Sequence, residues 1–195
     1  NLCPYNIAVF LFDFAGCGNS EGEYISLGYY ETIDTVKIMD DLSSACNFTS
    51  FVLWGRSMGA ATAVSVQHPK LIGRIVDSTF STLENEFQHV ASSTGYSHFL
   101  TGPILWFIKK IIISRAQFNI EDVKPVEDAE HCGNIPLLMA HAEDDEFIDF
   151  SQGQDVFEHY RYEKEFVSLR GGHNGNRPDE WLVKGFLFCF RVFRI

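Results

Sequence analysis

Phe51-Val52-Leu53-Trp54-Gly55-Arg56-Ser57-Met58-Gly59-Ala60-Ala61-Thr62-Ala63-Val64 is the stretch on which the reading of this chain turns. Phe51 to Trp54 is a continuous apolar run of strand length, and Gly55 breaks it. Ala60 to Gln67 is small and helix-favouring, with Pro69 just past its end. A buried strand therefore passes into a helix through a very short turn. Gly55-Arg56-Ser57-Met58-Gly59 occupies that turn and fits G-x-S-x-G. A serine at such a tip takes strained backbone angles, and crowding explains a glycine two residues to either side. The turn exposes the Ser57 hydroxyl and aims a helix N-terminus at it. The Met58 N–H is then placed to stabilise an oxyanion formed by attack of that hydroxyl. Taken alone, the pattern also suits a tight turn with an idle serine.

Working outward, strands and helices alternate. Ile7 to Phe12 reads as a strand ended by the turn-rich loop Asp13 to Gly22. A helix is expected over Leu27 to Ser44, where Tyr29, Ile33, Val36 and Met39 share one face. Ile72 to Val76 reads as the third strand. From Phe80 to Cys132 the alternation stops and the chain looks helical, above all over Pro103 to Arg115. It resumes with strand Leu137 to Ala140, a helix near Gln152 to Tyr160, strand Phe166 to Leu169 and a helix from Asp179. Apolar strands alternating with helices predict an α/β fold with a mostly parallel, doubly wound sheet. We expect one domain over residues 1–195, with residues 80–132 a helical insertion packed over the functional edge after the third strand.

The bulk numbers narrow the function. The 195 residues carry 15 basic and 26 acidic side chains, a net charge of −11, with 46% hydrophobic and 21% charged. No basic stripe offsets that balance, so a nucleic-acid partner is not expected. Cys3, Cys17, Cys46, Cys132 and Cys189 are scattered without a C-x-x-C pair. Neither a disulfide framework nor a zinc site fits them; reduced thiols point to a cytoplasmic setting.

A serine hydroxyl needs a base, commonly a neutral imidazole, and the imidazole needs an acid to fix its tautomer. Strand Leu137 to Ala140 runs into His141-Ala142-Glu143-Asp144-Asp145, and strand Phe166 to Leu169 into Arg170-Gly171-Gly172-His173. Both sets of groups therefore fall at the C-terminal ends of strands, where a parallel sheet builds its site. By position alone, Glu143, Asp144 and Asp145 serve equally well.

These motifs resemble the α/β-hydrolase superfamily, in its serine aminopeptidase-like and monoacylglycerol-lipase-like branch. Asp13 to Gly22 is similar to the D-x-x-G-x-G-x-S-x-G turn, and Trp54 to Gly59 to the nucleophile elbow. His141 to Asp145 resembles the H-G-x-x-D acid loop, with Ala142 in place of Gly, and Gly171 to His173 the G-x-H base loop. The resemblance implies a Ser57 nucleophile, an Asp145 acid (four residues after His141), a His173 base and a Met58 oxyanion donor. It implies hydrolysis of a small-molecule or peptide acyl substrate, as an esterase, lipase or peptidase, with no metal or organic cofactor. It also implies a chain truncated at its N-terminus, without the family's first strands and their second oxyanion donor. Ile7–Phe12 then either pairs directly with Phe51–Trp54 or borders strands outside this sequence.

Three other readings compete. Gly16-Cys17-Gly18 follows an apolar run, but Gly22 is one place too far for G-x-G-x-x-G and no helix begins there to hold a pyrophosphate. A non-catalytic hydrolase relative acting as a binding protein would show the same motifs with an unreactive Ser57. Pro103 to Ser114, apolar with Lys109 and Lys110, suits either a lid helix over the sheet edge or weak contact with a membrane surface.

Overall fold

The computed structural model describes residues 3–93 and 98–195. Strand β1 (Phe51–Arg56), β2 (Leu71–Asp77), β3 (Leu137–Ala142) and β4 (Lys164–Leu169) form one sheet in the order β1-β2-β3-β4. Every pairing is parallel, with Trp54 beside Ile75, Ile75 beside Leu138 and Leu138 beside Glu165. Parallel strands need crossovers. Helix α1 (Tyr29–Ala45) precedes β1, and α2 (Met58–Ser65) connects β1 to β2. Helices α3 (Leu83–Ser93), α4 (His98–Ala116) and α5 (Pro125–Glu130) lie between β2 and β3; α6 (Phe150–His159) follows β3 and α7 (Asp179–Phe193) follows β4.

Alternation along the central strands sorts the core into two layers. Val76, Leu137 and Met139 pack with Ala60, Ala63 and Val64 of α2, Ala129 of α5 and Val156 of α6. Ile75, Leu138 and Ala140 point the other way, onto Trp181, Phe188 and Cys189 of α7. Small residues on α2 let that helix lie close to the sheet, which fixes the end of the helix nearest Ser57. Burial also pushes the Cys189 thiol up to about 11, so it is an unreactive apolar filler.

A charged residue in the middle of β2 secures the other end of α2. Arg74 is fully buried. Its Nε donates to the Ala63 carbonyl at 2.9 Å, its Nη2 to Val66 at 2.7 Å, and its Nη1 to Cys132 at 3.2 Å and the Tyr160 hydroxyl at 2.7 Å. The carbonyls in a helix's last turn lack intrahelical donors. One guanidinium serves Ala63 in the last turn of α2 and Val66 just past it, and ties α2 to the segment after α5.

The α/β architecture expected from the alternation is observed, with one correction at its start. Ile7–Phe12 is not a strand. Val9 is 67% and Leu11 87% exposed, and Phe12 makes tilted and edge-on ring contacts with Phe10 and Phe14 rather than joining the core. An apolar run becomes a strand only when a neighbour supplies ladder hydrogen bonds, and none of the described residues pairs with this one. Direct pairing with Phe51–Trp54 is therefore ruled out, and the helical segment follows the second strand of this sheet, not the third. The loop Asp13–Gly22 closes on itself instead. Asn19 N–H donates to Asp13 Oδ2 at 3.0 Å, and a Cβ at Gly18 would lie 2.2 Å from that same oxygen. The next helix begins only at Tyr29, so no helix terminus faces a phosphate there.

Replacing Arg74 by Met leaves at least two buried carbonyls without donors. Since each unsatisfied group costs about 1–3 kcal/mol, urea denaturation should show a loss of about 3 kcal/mol or more. A loss below about 1 kcal/mol would contradict the capping role.

Candidate active site

The turn between β1 and α2 concentrates strain on one residue. Ser57 has φ 55° and ψ −122°, a region L-residues seldom occupy. Two interactions hold it there. Its N–H donates to the Asp77 carbonyl at 2.9 Å, extending the β1–β2 ladder to the serine itself. Its carbonyl accepts from Ala60 at 2.9 Å and Ala61 at 3.1 Å, the first bonds of α2. The expected crowding falls on one glycine only. A Cβ on Gly55 would sit 1.9 Å from the Gly59 carbonyl oxygen, whereas a Cβ on Gly59 would meet nothing within 4 Å. Met58 is the first residue of α2, where a helix leaves its N–H groups without intrahelical partners.

Two loops from neighbouring strand ends meet this turn. His173 Nε2 lies 2.9 Å from Ser57 Oγ. On its far side, His173 Nδ1 lies 2.8 Å from Asp145 Oδ2 and 3.0 Å from Oδ1. Of the three carboxylates that the sequence leaves open, Asp145 alone meets the imidazole ring. Asp144 Oδ2 accepts from Gly171 N–H at 3.3 Å, and Glu143 N–H continues the sheet to the Leu169 carbonyl at 2.7 Å. The Asp145 side chain has no exposed surface and that of His173 only 8%. Burial alone would raise the Asp145 carboxyl. The Ile148 N–H at 2.9 Å, the His173 ring and the Phe147 N–H at 3.0 Å outweigh it and hold the group below its usual range. Asp145 is therefore a carboxylate at neutral pH, and an Nδ1–H on His173 leaves Nε2 a bare acceptor for the serine proton. Phe147, half exposed, packs 5.2 Å from the imidazole ring and walls one side of the site.

His141, the first residue of the acid-loop motif, has a structural place. It is fully buried, and its Nε2 lies 3.0 Å from the Ile148 carbonyl, fixing the bend that returns Ile148 N–H to Asp145. Burial depresses its pKa, so the ring is neutral and donates that bond. A Cβ at Gly153 would fall 2.1 Å from its Nδ1, so α6 packs directly on the ring.

The fold brings four further residues to this site. Arg177 grips Asp77 with two bonds, Nε to Oδ2 at 2.7 Å and Nη2 to Oδ1 at 3.0 Å. Arg56 donates to the His173 carbonyl, and Glu146 Oε2 accepts from the His173 N–H at 3.0 Å. Arg74 and Asp77 did carry a signal: they are the only charges in the apolar run Leu71 to Asp77. The helical segment is anchored nearby. Glu86 of α3, buried, accepts from Gln152 of α6 at 2.8 Å, and Ile148 packs with Phe80, Leu83 and Phe118.

Comparison with known proteins bears on the fold. No family model matches the chain. The lysophosphatidylserine lipase ABHD12 of Macaca fascicularis is 28% identical over 157 residues, covering 76% of this chain and 37% of its own length. Uncharacterized protein YqkD of Bacillus subtilis is 24% identical over 172 residues, covering 85% and 55%. The chain thus spans between about a third and a half of the length of these curated relatives. Among solved structures, the esterase Pf2001 of Pyrococcus furiosus superposes with a TM-score of 0.67 at 17% identity, covering 93% of this chain and 68% of that one. A puromycin hydrolase gives 0.62 at 17% identity, covering 84% and 25%. The fold is that of the α/β-hydrolases. The likeness seen in the motifs therefore extends to the arrangement of the sheet and its flanking helices.

Two outcomes follow from the site's packing. Gly55→Ala should lose more than about 3 kcal/mol through overpacking, while Gly59→Ala should gain up to about 1 kcal/mol as alanine replaces glycine in a helix; thermal melts compare them. The His141 ring should remain neutral as pH falls through 6.5, read from its NMR shifts. Because the unfolded chain binds that proton first, the His141 contribution to stability declines below about pH 6.5. A ring titrating at or above 6.5 would contradict its burial.

Proposed function

We propose that this chain is a serine hydrolase that cleaves an ester or amide bond by two-step acyl transfer. The observation that carries the reading is the continuous hydrogen-bond chain from Asp145 through His173 to Ser57, assembled from the ends of three different strands. His173 Nε2 takes the Ser57 proton as Oγ attacks the carbonyl carbon. The carbonyl oxygen becomes an oxyanion stabilised by the Met58 N–H at the head of α2. His173 then donates its proton to the leaving alkoxide or amine, and the acyl group stays on Ser57. Water, deprotonated by the same ring, attacks the acyl carbon and releases the acid. Asp145 stays ionised throughout and stabilises the imidazolium.

Burial serves this chemistry directly. With the carboxylate out of water, its charge is felt by the imidazole rather than by solvent. The names of the relatives and structural neighbours (a lipase, an esterase, a puromycin hydrolase) agree on acyl-bond hydrolysis and differ in substrate. We assign the helical segment α3–α5 to the acyl side of the site, as a lid, because Phe80, Leu83 and Phe118 pack against Ile148 of the acid loop. Helix α4 presents Trp106 and Phe107 to solvent, both about 60% exposed, with Lys110 over the Trp106 ring. Such a face suits weak contact with a lipid surface. No helix among the described residues is long and apolar enough to cross a membrane.

The test is turnover of a small activated ester. Ser57→Ala and His173→Ala should each reduce kcat by about 10⁴-fold or more, and Asp145→Asn by about 10⁴-fold through the wrong tautomer, with circular dichroism unchanged. A Ser57→Ala variant as active as the wild type would refute the assignment.

A further inference from the structure

The loop that carries the base closes on itself through one turn hydrogen bond, Gly175 N–H to the Gly172 carbonyl at 3.0 Å. Gly171, Gly172 and Gly175 flank His173, and Gly171 has φ 102°. Glycines contribute no side-chain packing and maximal backbone freedom. Yet three carbonyls of this loop are taken by two guanidiniums. Arg177 Nη1 donates to Gly172 at 3.1 Å; Arg56 Nη2 donates to His173 and, at 3.0 Å, to Gly175. Both cations converge on one carboxylate. Asp77 receives the bidentate Arg177 at 2.7 and 3.0 Å and has Arg56 Nε at 3.7 Å. The backbone carbonyl of this same Asp77 accepts the Ser57 N–H at 2.9 Å.

One residue is thus bonded to the nucleophile's backbone directly and to the base's backbone through two cations. We propose that Asp77, Arg177 and Arg56 form a positioning clamp that sets the separation of Ser57 Oγ and His173 Nε2. This rests on the acyl-transfer reading and adds to it the residues that make the base effective. None of the three reaches the reacting atoms; each acts through the loop. The Asp77 and Arg177 side chains are only 3% and 5% exposed, and a buried ion pair is a poor net stabiliser because both partners are desolvated. Its use is geometric. A planar fork fixes direction as well as distance, which an ammonium does not. Glu146 and Asp144 complete the hold from the acid-loop side, accepting the His173 and Gly171 N–H groups.

Two variants test the clamp. Arg177→Lys keeps the charge and loses the fork. Arg56→Met removes the more exposed cation, whose side chain is 37% accessible, and leaves the Asp77–Arg177 pair intact. Amide hydrogen exchange over residues 171–177 should rise tenfold or more in each, while α2 keeps its protection. Ester kcat should drop about 10²-fold in Arg177→Lys and about tenfold in Arg56→Met, the scale expected for displacement of a base by an ångström, with KM unchanged. Labelling of Ser57 by a fluorophosphonate should slow by the same factors. Loop exchange unchanged in both variants would overturn the clamp, and so would raised exchange with kcat intact. A wild type that neither turns over ester nor labels would sink the catalytic reading, and the clamp with it, before any variant is made.

Discussion

Between Gly55 and the carbonyl of Gly59 there is room for a hydrogen atom and nothing larger. That close approach is what lets β1 reverse into α2 within a residue, and Ser57 is the residue left at the apex with a positive φ. Strain of this kind persists only where the surroundings over-determine it. Here the Asp77 carbonyl holds the serine from the sheet side, and the first turn of α2 holds it from the other. Arg74 then secures the far end of the same short helix through the carbonyls of Ala63 and of Val66 just past it. Loosening either end would let the hydroxyl drift from its partner.

The loops opposite the turn solve a different problem, which is to bury a charge without neutralising it. Asp145 is removed from water, and burial by itself would favour its protonated form. Two backbone N–H groups and the imidazole reverse that preference. Those N–H groups are presented by a bend that depends on His141, whose neutral ring bonds the Ile148 carbonyl. A histidine at the end of β3 thus serves the carboxylate four residues on without carrying a charge. The His173 loop, rich in glycine, is held by Arg177, Arg56 and Glu146 as well as by its own Gly175-to-Gly172 turn bond.

Much of this was legible in the sequence because it is encoded locally. The apolar runs of β2, β3 and β4, the small residues of α2 and the amphipathic α7 all announce themselves within a short window. So does the positioning of Ser57, His173 and a group of three carboxylates just past strands, although position does not single out Asp145 among the three. The failures are equally physical. Ile7–Phe12 has strand composition, but a strand is a property of a pair, and composition does not report the partner. Crowding excludes a side chain at Gly55 and not at Gly59, because side-chain directions at a turn depend on its actual geometry. Asp77 and Arg177 lie a hundred residues apart, so no window contains their interaction. Only the oddity of charged Arg74 and Asp77 in an otherwise apolar central strand hinted that long-range polar contacts organise the site.

We propose that convergence of these three side chains makes the hydroxyl of Ser57 a nucleophile. The most direct measurement is to quench the chain during turnover of a slowly deacylating activated ester and map the acyl mass by peptide mass spectrometry. One acyl group is expected, on the peptide containing Ser57 and on that side chain. Ester hydrolysis with Ser57 unmodified, or an acyl group resident on another residue, would contradict it.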